Sequence, residues 1–187
     1  MPNPLNFLFY IILAVISTNA CCLEITRFEL HKSTGSKIAD IKFSKVILVK
    51  NIEYKNSSII LPLDIFKDKK YDNIRIVTKE FHDLILKNFS DGKNTKNPAK
   101  GSVNCKTPEF KITQIRKLSS PYRIANIEVV FDNSLLVILG IIKSKHNPGD
   151  FWISYPDCFE ITDKNYKKLF EQQILKEFLK TNGSRNL

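Results

Sequence analysis

Beside the group Lys67, Lys69, Lys70 and Arg75, one candidate set for holding a charged ligand is Lys143, Lys145 and His146, which flank a turn beside the aromatic stretch Phe151-Trp152. Such a group could grip a phosphate while an aromatic ring stacks the attached base. The competing expectation is that Trp152, the single tryptophan, belongs to the core. Lys164, Lys167, Lys168 and Lys176 fall mainly on the polar face of a helical pattern, where solubility explains them. Catalysis finds no footing. His31, His82 and His146 are dispersed, without a nucleophile motif or a glycine-rich phosphate loop, so a non-enzymatic chain with no cofactor is expected. Four cysteines offer no CxxC pair and no His-Cys cluster for a metal. Cys21 and Cys22 sit at a processing site, which leaves Cys105 and Cys158 either as a disulfide or as two separate thiols.

The elements that must position these residues occur twice, in one order. Leu23-Glu24-Ile25-Thr26 matches Phe110-Lys111-Ile112-Thr113, and Ile38-Ala39-Asp40-Ile41 matches Ile124-Ala125-Asn126-Ile127. Ile59-Ile60-Leu61-Pro62 then answers Trp152-Ile153-Ser154-Tyr155-Pro156, and Ile85 to Phe89 answers Ile174 to Phe178. A repeat of this length predicts two copies of a small domain, at residues 23–90 and 110–187, joined by a polar linker at 91–109. Units of about 70 residues are near the lower limit for an independent core, so the copies should pack together.

Within each copy the pattern is four strands and a helix. In the second, 111–118, 123–131, 135–142 and 151–155 read as an antiparallel meander, with turns at Asp132-Asn133 and Asn147-Pro148-Gly149-Asp150. Thr162-Asp163 caps a helix to about Lys180, with Tyr166, Leu169, Phe170, Ile174, Leu175 and Phe178 as its apolar stripe. The first copy repeats this with Thr78 as cap and Phe81, Leu84, Ile85, Leu86 and Phe89 inward.

The chain has 29 Lys and Arg against 19 Asp and Glu, a net charge of +10 spread over both copies and the linker rather than held in one tail. A dispersed positive surplus suits a polyanionic partner such as nucleic acid or an anionic membrane face; a Lys-rich background composition is the plain alternative. Leu5 to Ser17 is apolar apart from Asn6 and runs into Ser17-Thr18-Asn19-Ala20, which marks 1–22 as a signal peptide or a membrane anchor. No Lys or Arg precedes this segment while Arg27, Lys32 and Lys37 follow it, the asymmetry of an anchor that keeps the folded part in the cytoplasm. Cys21 after Ala20 also fits a relaxed lipidation site. Export to the envelope, retention at the membrane and a mis-assigned start in a cytoplasmic protein are the three alternatives.

The stretch Ile124 to Leu135, continuing to Phe151-Trp152-Ile153-Ser154-Tyr155-Pro156 and Ile174-Leu175-Lys176-Glu177-Phe178, resembles the septation protein SpoVG family. The first copy resembles it through Glu24-Ile25-Thr26, Asn51-Ile52, Leu61-Pro62, Tyr71-Asp72-Asn73-Ile74 and Leu86-Lys87-Asn88-Phe89. The resemblance implies an α+β domain that dimerises, binds DNA or RNA with little sequence selectivity and acts in regulation and septation. A duplicated chain would then form an internal pseudo-dimer. The family's basic loop after its Met-Pro strand is replaced here by Leu63-Asp64-Ile65-Phe66 and by Asp157-Cys158-Phe159-Glu160. Lys67, Lys69, Lys70 and Arg75 follow closely and would meet phosphates in its place; among Asp68 and Asp72 they also read as a solvated loop. If the chain is exported, an envelope or division protein becomes the expected partner instead.

Overall fold

The computed structural model describes residues 23–32, 35–92, 106–147 and 149–183. The segment 1–22, with Cys21, and Cys105 lie outside them. The chain is α+β, and the described residues form two five-stranded antiparallel sheets, a two-stranded hairpin and two helices.

The first sheet starts as a meander of β1 (Ile25–Lys32), β2 (Lys37–Phe43), β3 (Ile47–Lys55) and β4 (Ser58–Ile60). Its tight connections place Ser44, Lys45, Asn56 and Ser57 at positive φ, the backbone that two-residue hairpin loops demand. The hairpin of β5 (Asp64–Phe66) and β6 (Lys69–Tyr71) follows, then β7 (Ile74–Ile76) and α1 (Lys79–Asp91). The second sheet repeats the meander in β8 (Phe110–Lys117), β9 (Arg123–Phe131), β10 (Leu135–Lys143) and β11 (Phe151–Ser154). It is followed by β12 (Phe159–Ile161) and α2 (Lys164–Gly183).

Each half gives a strand to the other's sheet. β7 pairs with β10, Ile74 opposite Val137, and β12 pairs with β3, Phe159 opposite Val49. Matching bonds extend both junctions: the Ile138 N–H donates to the Asn73 carbonyl and the Lys50 N–H to the Cys158 carbonyl, both at 2.8 Å. Val77 N–H to the Ser134 carbonyl (2.8 Å) and Thr162 N–H to the Val46 carbonyl (2.7 Å) complete them. β4 and β11 reach only one end of β3 and β10, so without the exchanged strands the other ends would leave backbone polar groups unpaired.

Alternation builds the core. In β9, Ala125, Ile127, Val129 and Phe131 are buried while the residues between them are half-exposed. α1 covers the first sheet with Phe81, Ile85 and Phe89; the Phe81 ring meets Phe43, and the Phe89 ring meets Phe28 and Tyr54. α2 covers the second: Phe170 packs on Phe110 and Phe131, and Phe178 on Phe151. Thr78 accepts the Phe81 N–H and Asp163 the Tyr166 N–H, so both helices start at the side-chain caps expected. One buried cluster runs through both halves, with Phe159 of β12 against Phe131 and Tyr155.

Several expectations change. Each sheet has five strands where four were expected, because β7 and β12 are too short to carry a periodic signal. The β5–β6 hairpin was not expected at all. Leu169 is 66% exposed rather than on the inward stripe, since Phe170, Ile174 and Phe178, four residues apart, define the buried edge. Ile25 and Phe110, not Ile25 and Ile112, share a ladder position, opposite Phe43 and Phe131. That two-residue offset preserves which face each side chain takes, which is why it is invisible in the apolar pattern.

Candidate nucleic-acid interface

Lys143 ends β10, and the loop after it carries Lys145 and His146 back to β11. Two backbone bonds fix the loop: Ser144 N–H to the Asp150 carbonyl (2.9 Å) and Lys143 N–H to the Tyr122 carbonyl (2.8 Å). The Ser144 hydroxyl accepts the N–H groups of His146 (3.2 Å) and Asn147 (3.0 Å). These bonds hold open a cavity of about 330 Å³, walled by Tyr122, Ile142, Lys143, Lys145, His146 and Trp152 among others. The volume is at the small end for ligand sites. The Lys145 ammonium lies 4.3 Å from the Tyr122 ring centroid, a cation–π contact that pins a positive charge at the rim.

Trp152 is 49% exposed, which corrects its assignment to the core. The cause is the pleat of β11: Ile153 is buried and Phe151 turns inward to Phe178, so the residue between them must face out. Trp152 stands opposite Ile142, and Ile142 stands opposite Arg123 on its other side, a row of three across one face.

Arg123 and Tyr122 were not anticipated. The Arg123 side chain lies flat over Gly140, where an added Cβ would come within 2.7 Å of its Nε, and that Nε donates to Asn126 Oδ1 at 2.8 Å. Burial lowers the Arg123 pKa, opposed by Asp64 and Tyr71 of the hairpin; a guanidinium keeps its charge regardless. The one usable signal was Gly140, a glycine in the apolar run Leu135 to Ile142, which marks close approach to a strand.

Lys67, Lys69 and Lys70 project from the β5–β6 hairpin and are exposed, with Lys67 Nζ 5.5 Å from the Phe66 ring centroid. None of the three lines the cavity. The hairpin stem is anchored instead: Asp64 accepts from Asn73 Nδ2 and from the Asp157 N–H. Arg75 sits on β7 opposite Leu136, and its Nε bonds Asp72 at 2.9 Å, so its charge is partly answered within the chain. Two positive clusters therefore exist, and of the two it is Lys143 and Lys145 that share a cavity with the aromatic side chains Tyr122 and Trp152.

Other candidates resolve simply. Cys158 is buried with a free thiol, its pKa raised to about 11, chiefly by burial. Cys105, its proposed partner, is outside the described residues. His31 meets Asp40 and His82 meets Asp83, and among the described residues no cluster of His, Cys, Asp and Glu could hold a metal. Lys167 lies over the Tyr155 ring, while Lys164, Lys168 and Lys176 are exposed. Among the described residues no helix is long and apolar enough to cross a membrane. Set against family models, curated proteins and solved structures, the chain matches none of them.

Proposed function

We propose that this chain is a non-enzymatic, SpoVG-like regulatory protein that binds nucleic acid and works in septation, built from two divergent tandem copies packed as an internal pseudo-dimer. The reciprocal exchange of β7 and β12 supports the duplicated architecture. So do the paired bonds in which Ser44 and Asp132 hold Glu24 and Glu109: each pair joins the same backbone atoms, and each hydroxyl or carboxylate accepts the glutamate N–H. The observation that carries the binding function is the open groove where Trp152 and Tyr122 stand beside Lys143 and Lys145, with Arg123 next in the cross-strand row of Trp152 and Ile142. Those three cations meet phosphates, and their counterion release makes affinity fall with salt.

A gel shift over a salt series tests this. Three phosphate contacts give a log–log slope of about −2 on a single strand. Binding that ignores salt, or no binding at low salt, refutes it.

A second reading is favoured by a different observation. The β5–β6 hairpin exposes Ile65 (67%) and Phe66 (63%), with Leu63 and Tyr71 beside them. Apolar groups on a protruding hairpin suit an exported or lipid-anchored envelope protein that uses the fold as an interaction module. Protease accessibility on intact cells separates the two: protection supports the nucleic-acid role, and cleavage supports the envelope role.

A further inference from the structure

We infer that the groove takes a single strand rather than a duplex, with one unpaired base stacked on Trp152 and the backbone running across the outer face of the second sheet. This rests on the nucleic-acid reading above and narrows its substrate class.

The face is set by the ladder. Trp152, Ile142 and Arg123 stand in one cross-strand row, and Asn126, which accepts from Arg123, stands opposite Arg116 at the β8 edge. A chain leaving the groove thus passes Arg123 and then reaches the exposed Arg116. From β11 to β8 the track crosses three strand spacings, about 14 Å, which suits a few nucleotides, the small end of single-strand site sizes. Acidic residues border the track: Glu128, opposite Ile138, stands one row beyond it, and Asp64 of the hairpin is near enough for its charge to act on Arg123.

Chemistry then selects the strand. A half-exposed indole offers a flat π-surface, and a base can use it only if its own face is free of stacked neighbours. A duplex would present phosphates to Lys143 and Lys145 but would leave Trp152 idle. Arg123, held flat by Asn126 above a glycine, is pre-set to meet a phosphate or to stack, without the ordering that a free arginine requires. Lys145 is likewise held by Tyr122 at the entrance.

Because Trp152 is the sole tryptophan, the intact protein reports its own stacking. The experiment titrates the full chain with a 20-nucleotide oligothymidine, with a 20-base-pair duplex and with heparin, following indole emission and anisotropy of labelled oligonucleotide at low salt. The expected result is quenching by oligothymidine alone. Trp152→Ala, an exposed site whose loss should spare the fold, weakens oligothymidine binding about 5- to 150-fold, the value of one stacked base. Trp152→Phe restores part of it. Lys145→Ala lowers affinity and reduces the salt slope by about one. Duplex binding equal to single-strand binding without quenching overturns this inference but leaves the nucleic-acid reading standing. Binding of neither overturns both, and quenching by heparin equal to that by oligothymidine reduces the groove to charge alone and also overturns it.

Discussion

Ile74→Ala puts the strand exchange under direct strain. Ile74 belongs to the first half in sequence but is fully buried in the second sheet, opposite Val137. Its truncation removes three carbons, a transfer loss of about 2.4 kcal/mol at roughly 0.8 kcal/mol per methylene. The unrelaxed cavity adds to that, so the total loss is about 3 to 4 kcal/mol. In a protein of this length that lowers the Tm by about 6 to 16 °C. The assay is urea unfolding followed by Trp152 emission, which senses the second half, and by far-ultraviolet circular dichroism, which senses both. One buried cluster spans the halves, so both probes should shift together in a single transition. Ile52→Ala, buried in the first sheet, should move the Trp152 signal equally well. If Ile52→Ala leaves the Trp152 midpoint unchanged while the dichroism midpoint falls, the halves unfold independently and the interlocking argument is wrong.

Gly140→Ala should act on binding more than on stability. The new Cβ must displace the Arg123 side chain, losing one part-buried hydrogen bond, to Asn126, of about 1 kcal/mol, while alanine in a strand returns a similar amount. Denaturant midpoints should therefore stay close to the parent while oligothymidine affinity falls; unchanged affinity would show that Arg123 takes no part. The alkaline limb of stability should be steep as well. Burial raises the pKa of Tyr155, which also donates to Glu171, and burial raises that of Tyr166. The unfolded phenols lose their protons near pH 10 while the folded ones keep theirs, so the contribution is intact below about pH 10 and is lost as pH rises above it. Absorbance at 295 nm should show two of the tyrosines ionising only with unfolding, and a full set titrating in the folded protein would contradict this.

How much was legible follows the range of each interaction. The long strands, β8 to β10 most clearly, were written in alternating apolar residues, because a sheet with one buried face requires that period. Helix starts were legible in Thr78 and Asp163, since capping is local. The pairing of Lys143, Lys145 and Trp152 was visible as a cluster, although whether Trp152 faced in or out depended on which neighbour of a four-residue strand packed on α2. Arg123 was hidden because its role is defined by the space over Gly140, fifteen or more residues away in the chain.

Taken by itself, the sequence determined a twice-used order of strands and a closing helix, a dispersed positive charge and the absence of any familiar catalytic motif. These are matters of local pattern and composition. Tertiary structure alone decided that β7 and β12 change places between sheets, because three-residue strands have no identity until an unpaired edge of β3 or β10 recruits them. It also decided which cations stand at the cavity: the hairpin lysines do not line it, while Lys143, Lys145 and Trp152 do, and cross-strand register sets Arg123 in the same row as Ile142 and Trp152.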